Sequence, residues 1–497
     1  MSAFALSKTS NAWSRLPRPL VPFLRTELLA GLLVALALIP EAIAFSIIAG
    51  VDPRVGLFAS FTMAVSIAFL GGRPAMISAA TGAMALVAAP LVASHGLGYL
   101  LAATLAAGAL QIVMSVCGVA KLMRFIPRSV MTGFINALAI LIFLAQLPHL
   151  IGASWPVWAL VAGGLGIIVV LPRLTKAIPA PLVAIVVLSA ITITAGVNVP
   201  TVGDMGALPD GLPFLTLPDV PLTMDMLTTI APYALGLAAV GLLESLMTAQ
   251  VVDDATDTPS NKTREARGQG IANIITGLFG GMASCAMIGQ TMINVKSGAR
   301  SRLSTFSAGF FLLILIVVLG DAVALMPMGA LVAVMIFVSA VTFDWNSVKP
   351  KTLRRMPISE TVTMVITVAV VVATDNLAIG VAAGVIVAAV LFTRKVAHIV
   401  EVTGVVDPAG DMVVYAVTGE LFFASSNQLV AAFDYRNDPD KVVVDLSNAH
   451  IWDASAVAAL DSVTAKYESR GKTVEIVGLN QPSSDLHTTL TGATGTP

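Results

Sequence analysis

Two acidic residues stand where acids are least expected. Glu41 follows Pro40 in the middle of the first long apolar stretch, and Glu244 sits in the middle of a later one, within Gly241-Leu242-Leu243-Glu244-Ser245-Leu246. A charge at membrane depth is costly, so each is a functional candidate, the competing explanation being a buried carboxyl that only stabilises helix contacts. Thr248 falls one helical turn after Glu244, with Met247 alongside, so a carboxylate and a hydroxyl share a face able to hold Na+ or a proton. Phe45 shares the face of Glu41, and Pro40 frees the backbone carbonyl of Leu36 one turn earlier. Two short segments offer different chemistry. One begins near Ala79-Ala80-Thr81-Gly82 and the other near Ile288-Gly289-Gln290-Thr291, with Asn294 on the face of Gln290. Small residues there let an anion approach the backbone. A helix N-terminus carries about half a positive charge and unpaired N–H donors, so two meeting head to head would bind an anion without Lys or Arg. Equally, Glu41 and Glu244 could serve a cation or neutral solute as ligands.

The surrounding chain is built for a membrane. Its 497 residues are 57% hydrophobic and 11% charged, with a mean hydropathy of +0.89. The net charge of -1 gives no basic excess for nucleic acid. Cys117 and Cys285 lie apart in apolar surroundings, excluding a metal or redox pair; no cofactor is expected. No Ser/His, Cys/His or metal-ligand set appears at membrane depth, and His95 and His149 lie near loop ends, so the chain does not read as an enzyme. No apolar run ending in a small-residue cleavage site precedes the first long one, so no signal peptide is expected to be removed. Apolar helices begin near Leu28, Gly56, Tyr99, Val130, Val157, Ala180, Met226, Gly268, Ser304, Ala322, Ile358 and Leu377. Two short segments, 78–92 after Gly71-Gly72-Arg73-Pro74 and 289–298 after Gly280-Gly281, bring the count to about fourteen. Glu27 and Glu360 sit near helix ends and are expected to reach water; Asp321 and Asp375 read as loop residues.

Charge fixes the orientation. With the N-terminus inside, Lys8, Arg15, Arg18, Arg25, Arg73, Lys121, Arg124, Arg173, Lys176, Lys262, Arg300, Arg302, Lys349, Arg394 and their basic neighbours are cytoplasmic, and Arg54 is outside. The Pro-rich loop 196–225 holds Asp204, Asp210, Asp219 and Asp225 and no Lys or Arg, as an external loop should. Trp13, Trp155 and Trp158 fit interfacial anchors. The expectation is a multi-pass protein of the cell (inner) membrane with both termini cytoplasmic and the bilayer as its surroundings. The short segments are third and tenth in the count, seven apart, and an odd repeat inverts its second copy. That pattern points to a secondary transporter with its site at the midplane.

The residues then become specific. Ala37-Leu38-Ile39-Pro40-Glu41-Ala42-Ile43-Ala44-Phe45, followed by Ala49-Gly50-Val51-Asp52-Pro53 and Gly56-Leu57-Phe58-Ala59-Ser60, resembles the signature of the SulP anion transporters, solute carrier family 26. The segment around Glu244, and Asn294 with Ser297-Gly298-Ala299-Arg300-Ser301, resemble that family's eighth helix and the end of its tenth. The resemblance implies a polytopic α-helical fold, a 7+7 inverted repeat with uracil-transporter-like core and gate domains. It also implies a substrate between helices 3 and 10, an elevator-like movement and a homodimer. Substrate contacts would come from Phe45, Ala80, Thr81, Gly82, Gly289, Gln290, Thr291 and Asn294, and coupling from Glu41, Glu244 and Thr248. Two departures stand out: the family usually has Gln where this chain has Glu41, and many eukaryotic members have an Arg near the start of helix 10. Both favour proton-coupled uptake. Nucleobase transporters of this fold generally carry a second Glu on helix 10, where this chain has Gln290, Thr291 and Asn294.

After Arg394-Lys395 the composition changes, with thirteen of the 29 acidic residues between Glu401 and Asp485. The division expected is a cytoplasmic segment 1–26, a transport domain 27–396, a linker 397–410 and a small α/β domain 411–497. That last part resembles a STAS domain, with strands and a turn at Gly419 in 411–423, a central strand at 441–447, a helix 455–470 closed by Gly471, and a strand 473–478. Where bacterial STAS antagonists have Asp-Ser-Ser-Gly, this chain has Asp453-Ala454-Ser455-Ala456, and Ser455 reads as an ordinary helix-start residue. Taken together, the expected function is symport of a small anion with H+, because a bound anion and a proton on a nearby carboxyl favour each other. Fumarate-like dicarboxylates, sulfate and bicarbonate are the candidate substrates. Na+-coupled bicarbonate transport, or an anion channel or sensor working through the STAS domain, are the rivals.

Overall fold

The computed structural model describes residues 20–119, 121, 126–175, 179–209, 211–397 and 400–491. Lys8, Trp13, Arg15, Arg18, Arg124, Lys176 and Asp210, used above to orient the chain, lie outside them. The chain divides into two units, 1–357 with 361–384, and 358–360 with 385–497.

The first unit is helical. In order it contains α1 (Leu20–Ala49), α2 (Pro53–Leu70), strand β1 (Ser78–Ala79), α3 (Gly82–Val116), α4 (Arg128–Leu144), α5 (Trp155–Leu174), α6 (Ala180–Thr194), α7 (Met224–Thr256) and α8 (Lys262–Leu278). Strand β2 (Cys285–Ala286), α9 (Ile288–Lys296), α10 (Arg302–Ala324), α11 (Met328–Thr342) and α12 (Pro350–Leu353) follow, and α13 (Ile358–Thr374) and α14 (Leu377–Ala397) straddle the division. Among the described residues, 8 helices are long and apolar enough to cross a membrane, and α6, α11 and α13 are shorter apolar ones. The 35-residue α3 is two segments in one, because Gly96 breaks it with φ 80 and ψ -173. Counted so, and with α8 and the nine-residue α9 included, the spans reach the fourteen expected.

Several boundaries differ from the sequence reading, each for a local reason. The third span does not start at Ser78: residues 78–79 are extended, and Thr81 caps the helix by accepting from Met84 N at 3.3 Å. The span placed at Ala322 starts at Met328, because Pro327 has no N–H to continue α10 and biases Met326 to extended backbone. Val202 N donates to Met326 O at 2.9 Å and Met328 N to Pro200 O at 2.8 Å, holding that break open. Asp321, expected in a loop, is therefore inside α10, whereas Asp375 does end α13 in the left-handed region. Glu27 does not reach water: it is 1% exposed and its carboxylate accepts from the backbone N–H of Arg300 (2.8 Å), Ser301 and Ser304, capping α10. Glu360 is exposed, as expected.

Packing in this unit relies on close backbone approach. A Cβ on Gly108 of α3 would lie 2.6 Å from the Gly270 carbonyl of α8, and one on Gly270 would lie 2.6 Å from that of Gly108. Small residues at such crossings replace the hydrophobic driving force that lipid does not supply.

The second unit is a four-stranded sheet of order β3-β4-β5-β6 with helices α15 (Ser426–Ala431), α16 (Ala454–Glu468) and α17 (Gln481–Leu490). Strand β3 (Glu401–Val406) runs antiparallel to β4 (Met412–Leu421); β5 (Lys441–Ile451) and β6 (Thr473–Val477) add in parallel. Residues 401–406, expected in the linker, thus complete the sheet. The expected turn at Gly419 is absent: β4 is one strand that keeps φ 107 there and shifts register between Ala416 and Thr418. Val413, Val417, Val444, Leu446, Leu460 and Tyr467 form its core. Asp453 caps α16, accepting from Ala456 N at 3.0 Å, so Ser455 is an exposed first-turn residue.

Candidate functional site

The two short interrupted spans meet through their strands. β1 and β2 pair antiparallel, Ser78 opposite Ala286 and Ala79 opposite Cys285. Neighbouring side chains hold this two-residue ladder from three helices. Ser60 Oγ of α2 accepts from Ala80 N at 3.2 Å, Ser245 Oγ of α7 accepts from Ala286 N at 3.1 Å, and Thr291 Oγ1 of α9 accepts from Ile77 N at 2.9 Å. With the strands fixed, α3 and α9 begin beside each other. Their first N–H groups, Gly82 and Ala83 in one and Ile288, Gly289 and Gln290 in the other, have no acceptor within their own helix.

A cavity of about 340 Å3 opens at these two helix starts. Thr81, Gly82, Met287, Ile288, Gly289 and Gln290 line it from the helix starts, and Glu41, Phe45, Glu244 and Met247 from α1 and α7. Phe134, Ile135, Leu138 and Ile142 of α4 and Val338, Val341 and Thr342 of α11 form the apolar remainder. The lining includes no Lys or Arg. Gln290 Nε2 donates to Glu41 Oε1 at 2.9 Å, and the thiol of Cys285 donates to Glu244 Oε2 at 2.9 Å. Two N-terminal partial positive charges and two carboxyl groups therefore share one small space. The volume and the apolar walls with a few polar groups are those of a small-molecule site.

Of the residues singled out in the sequence, Glu41, Phe45, Thr81, Gly82, Glu244, Gly289 and Gln290 line the cavity. Four do not. Ala80 spends its N–H on Ser60; Thr291 binds the backbone of Ile77 in both directions; Asn294 Nδ2 donates to Ala75 O and Ser304 Oγ, each at 2.9 Å. Thr248 is fully buried and its hydroxyl donates to Glu244 O at 2.8 Å, one turn back along α7. These four hold the framework.

Sequence reasoning missed Cys285 and Arg73. Cys285 Sγ lies 3.2 Å from Thr81 Oγ1 as well as against Glu244, so it bridges the cap of α3 and the acid of α7. Only its position three residues before a short helix hinted at this. Arg73, 8% exposed, ion-pairs with Asp253 at 3.1 Å and donates to Thr258 O at 2.8 Å and to Thr256 Oγ1. It fastens the loop before β1 to the end of α7.

Comparison with known proteins agrees with this architecture. The sulfate permease family matches residues 24–162 and 153–367, and the STAS domain matches residues 401–492. YbaR of Bacillus subtilis, whose name assigns it provisionally to sulfate transport, is 55% identical over 463 residues, 93% of this chain and 96% of its own. The transmembrane domain of a cyanobacterial bicarbonate transporter, BicA, is 28% identical with a TM-score of 0.64, covering 73% of this chain and 97% of that one. Murine Solute Carrier 26 family member A9 shares the fold, with a TM-score of 0.80 at 16% identity over 98% of this chain and 92% of its own.

Proposed function

Because this chain belongs to the sulfate permease family (SulP, solute carrier family 26), whose members are transporters and not enzymes, we propose that it couples uptake of a small oxyanion to H+. The reading rests on one observation: two helix N-termini and two carboxyl residues face a cavity whose lining has no Lys or Arg. The anion is held by N–H donors at the starts of α3 and α9. Glu41 and Glu244 carry the proton that offsets its charge. The candidate substrates are sulfate and hydrogencarbonate, suggested by the names of YbaR and BicA, and a dicarboxylate of fumarate size. The core moves past the rest of the membrane unit as in an elevator, in a homodimer of the inner membrane with both termini in the cytoplasm. Na+ coupling through Glu244 and Thr248 is the closest rival, and Thr248, whose hydroxyl donates to Glu244 O, does not itself line the cavity.

The test is uptake of radiolabelled sulfate, hydrogencarbonate and fumarate into liposomes containing the full chain, with and without an inward proton gradient and with Na+ absent. Concentrative uptake of one anion that follows the gradient is expected. Uptake that requires Na+, or none of the three under any gradient, rejects the reading.

A further inference from the structure

The two helix starts at the cavity are not equivalent. That of α3 is closed: Thr81 caps it, Gly82 is buried, and a Cβ on Gly82 would lie 2.9 Å from Ile142 Cδ1 and 3.0 Å from Phe45 Cε1. That of α9 is open. Met287 supplies no side-chain cap, Gly289 is exposed, and a Cβ on Gly289 would meet no atom within 4 Å. Glycine has only backbone to present, so what Gly289 shows to the cavity it lines is the bare first turn of a helix.

Most of the remaining accessible lining is hydrocarbon. Ile135 of α4, Ile288 of α9 and Val338 of α11 are half-buried, and Val341 of α11 is exposed. The volume of about 340 Å3 is more than twice the roughly 150 Å3 that holds benzene in an engineered apolar cavity. Sulfate and hydrogencarbonate have fewer heavy atoms than benzene and would leave most of the space unfilled. They would also face apolar walls with oxygens that find no donor there, and a polar group buried without a partner is costly. Charge points the same way. One open helix start supplies about half a positive charge, the lining has no Lys or Arg, and its two ionisable side chains are both acids, Glu41 and Glu244. Such a site suits one negative charge better than two.

We propose that the preferred substrate is a monocarboxylate with a short apolar body: its carboxylate lies against Gly289 at the start of α9, and its hydrocarbon part covers Ile135, Val338 and Val341. The proposal rests on the reading of this cavity as the anion site and narrows it to a class of anion. Walls that are apolar only to let helices slide past one another would give no gain from a longer hydrocarbon chain, so the two explanations separate in a homologous series.

Equilibrium binding of radiolabelled formate, acetate, propionate and butyrate to the purified full chain is measured at neutral pH, where all four are ionised, beside sulfate, fumarate and hydrogencarbonate. Affinity is expected to rise about threefold to fourfold with each added methylene, leaving butyrate ahead of the other three anions. Butan-1-ol, which has the chain without the charge, should compete poorly with butyrate. Val338→Thr, close in shape and polar, should cost butyrate more affinity than formate. Gly289 does not have a left-handed φ, so Gly289→Ala is compatible with the helix; its methyl would occupy the open space and should weaken the whole series. A flat series, with sulfate or hydrogencarbonate bound as tightly as butyrate, overturns the proposal and leaves anion transport standing; it is read on the wild type and so does not depend on any variant folding. Undiminished binding in Gly289→Ala overturns the placement of the carboxylate. If none of these anions binds, the functional reading fails and the proposal falls with it.

Discussion

Glu41 and Glu244 face one cavity but keep different company. Glu41 is held by an amide and Glu244 by a thiol, and the thiol is itself within reach of Thr81, the cap of α3. Removing the thiol leaves a buried carboxyl oxygen without its donor. Cys285→Ala is therefore expected to lower anion uptake about tenfold, and Cys285→Ser, which restores a donor, to recover most of it; uptake in proteoliposomes measures both. The acids were legible because a charge in an apolar run is conspicuous. Cys285 was not, because a lone cysteine among apolar residues has the sequence profile of a small hydrophobe. Thr248 was legible only as a neighbour of Glu244: helical spacing places it one turn on, and in the structure its hydroxyl donates to the Glu244 carbonyl of its own helix and does not line the cavity.

At the level of elements, long spans were easy to read and short devices were hard. Hydropathy marks an apolar helix of twenty residues, whereas two-residue strands such as Ser78–Ala79 and Cys285–Ala286 have no periodicity to read. Glycines at 71–72 and 280–281 signalled only that something was interrupted. The span misplaced to Ala322 shows the converse. Apolar residues run across Pro327, and only the backbone pairing with residues 200–202 shows where one helix stops and the next begins. The reciprocal approach of Gly108 and Gly270 is equally silent in sequence. Gly108→Leu should lower the Tm of the purified full chain, by an amount equivalent to about 1–3 kcal/mol, since its Cβ would meet backbone that cannot yield cheaply. A variant as stable as wild type would show that the α3–α8 crossing is looser than drawn.

For the whole molecule, fourteen spans, an even number, put both ends of the membrane part on one side, and the distribution of Lys and Arg in the sequence predicts that this side is the cytoplasm. Cys117, exposed just after α3, supplies a direct check. A membrane-impermeant maleimide should label it in inside-out vesicles and not in intact cells, while buried Cys285 stays unlabelled in both. Labelling of Cys117 from outside would invert the topology. The ladder of β1 and β2 carries a further consequence, for how the chain is made. Thr81 and Cys285 are 204 residues apart, and a ribosome adds about 5–20 residues per second. For about 10–40 s, then, the first half of the protein is in the bilayer with Ser78 and Ala79 unable to find their partners. Backbone left unpaired in hydrocarbon is not tolerated for long. The newborn first half must be sheltered by the insertion machinery or by water until the second arrives, and a chain cut short before Cys285 should be cleared by the cell's proteases instead of accumulating.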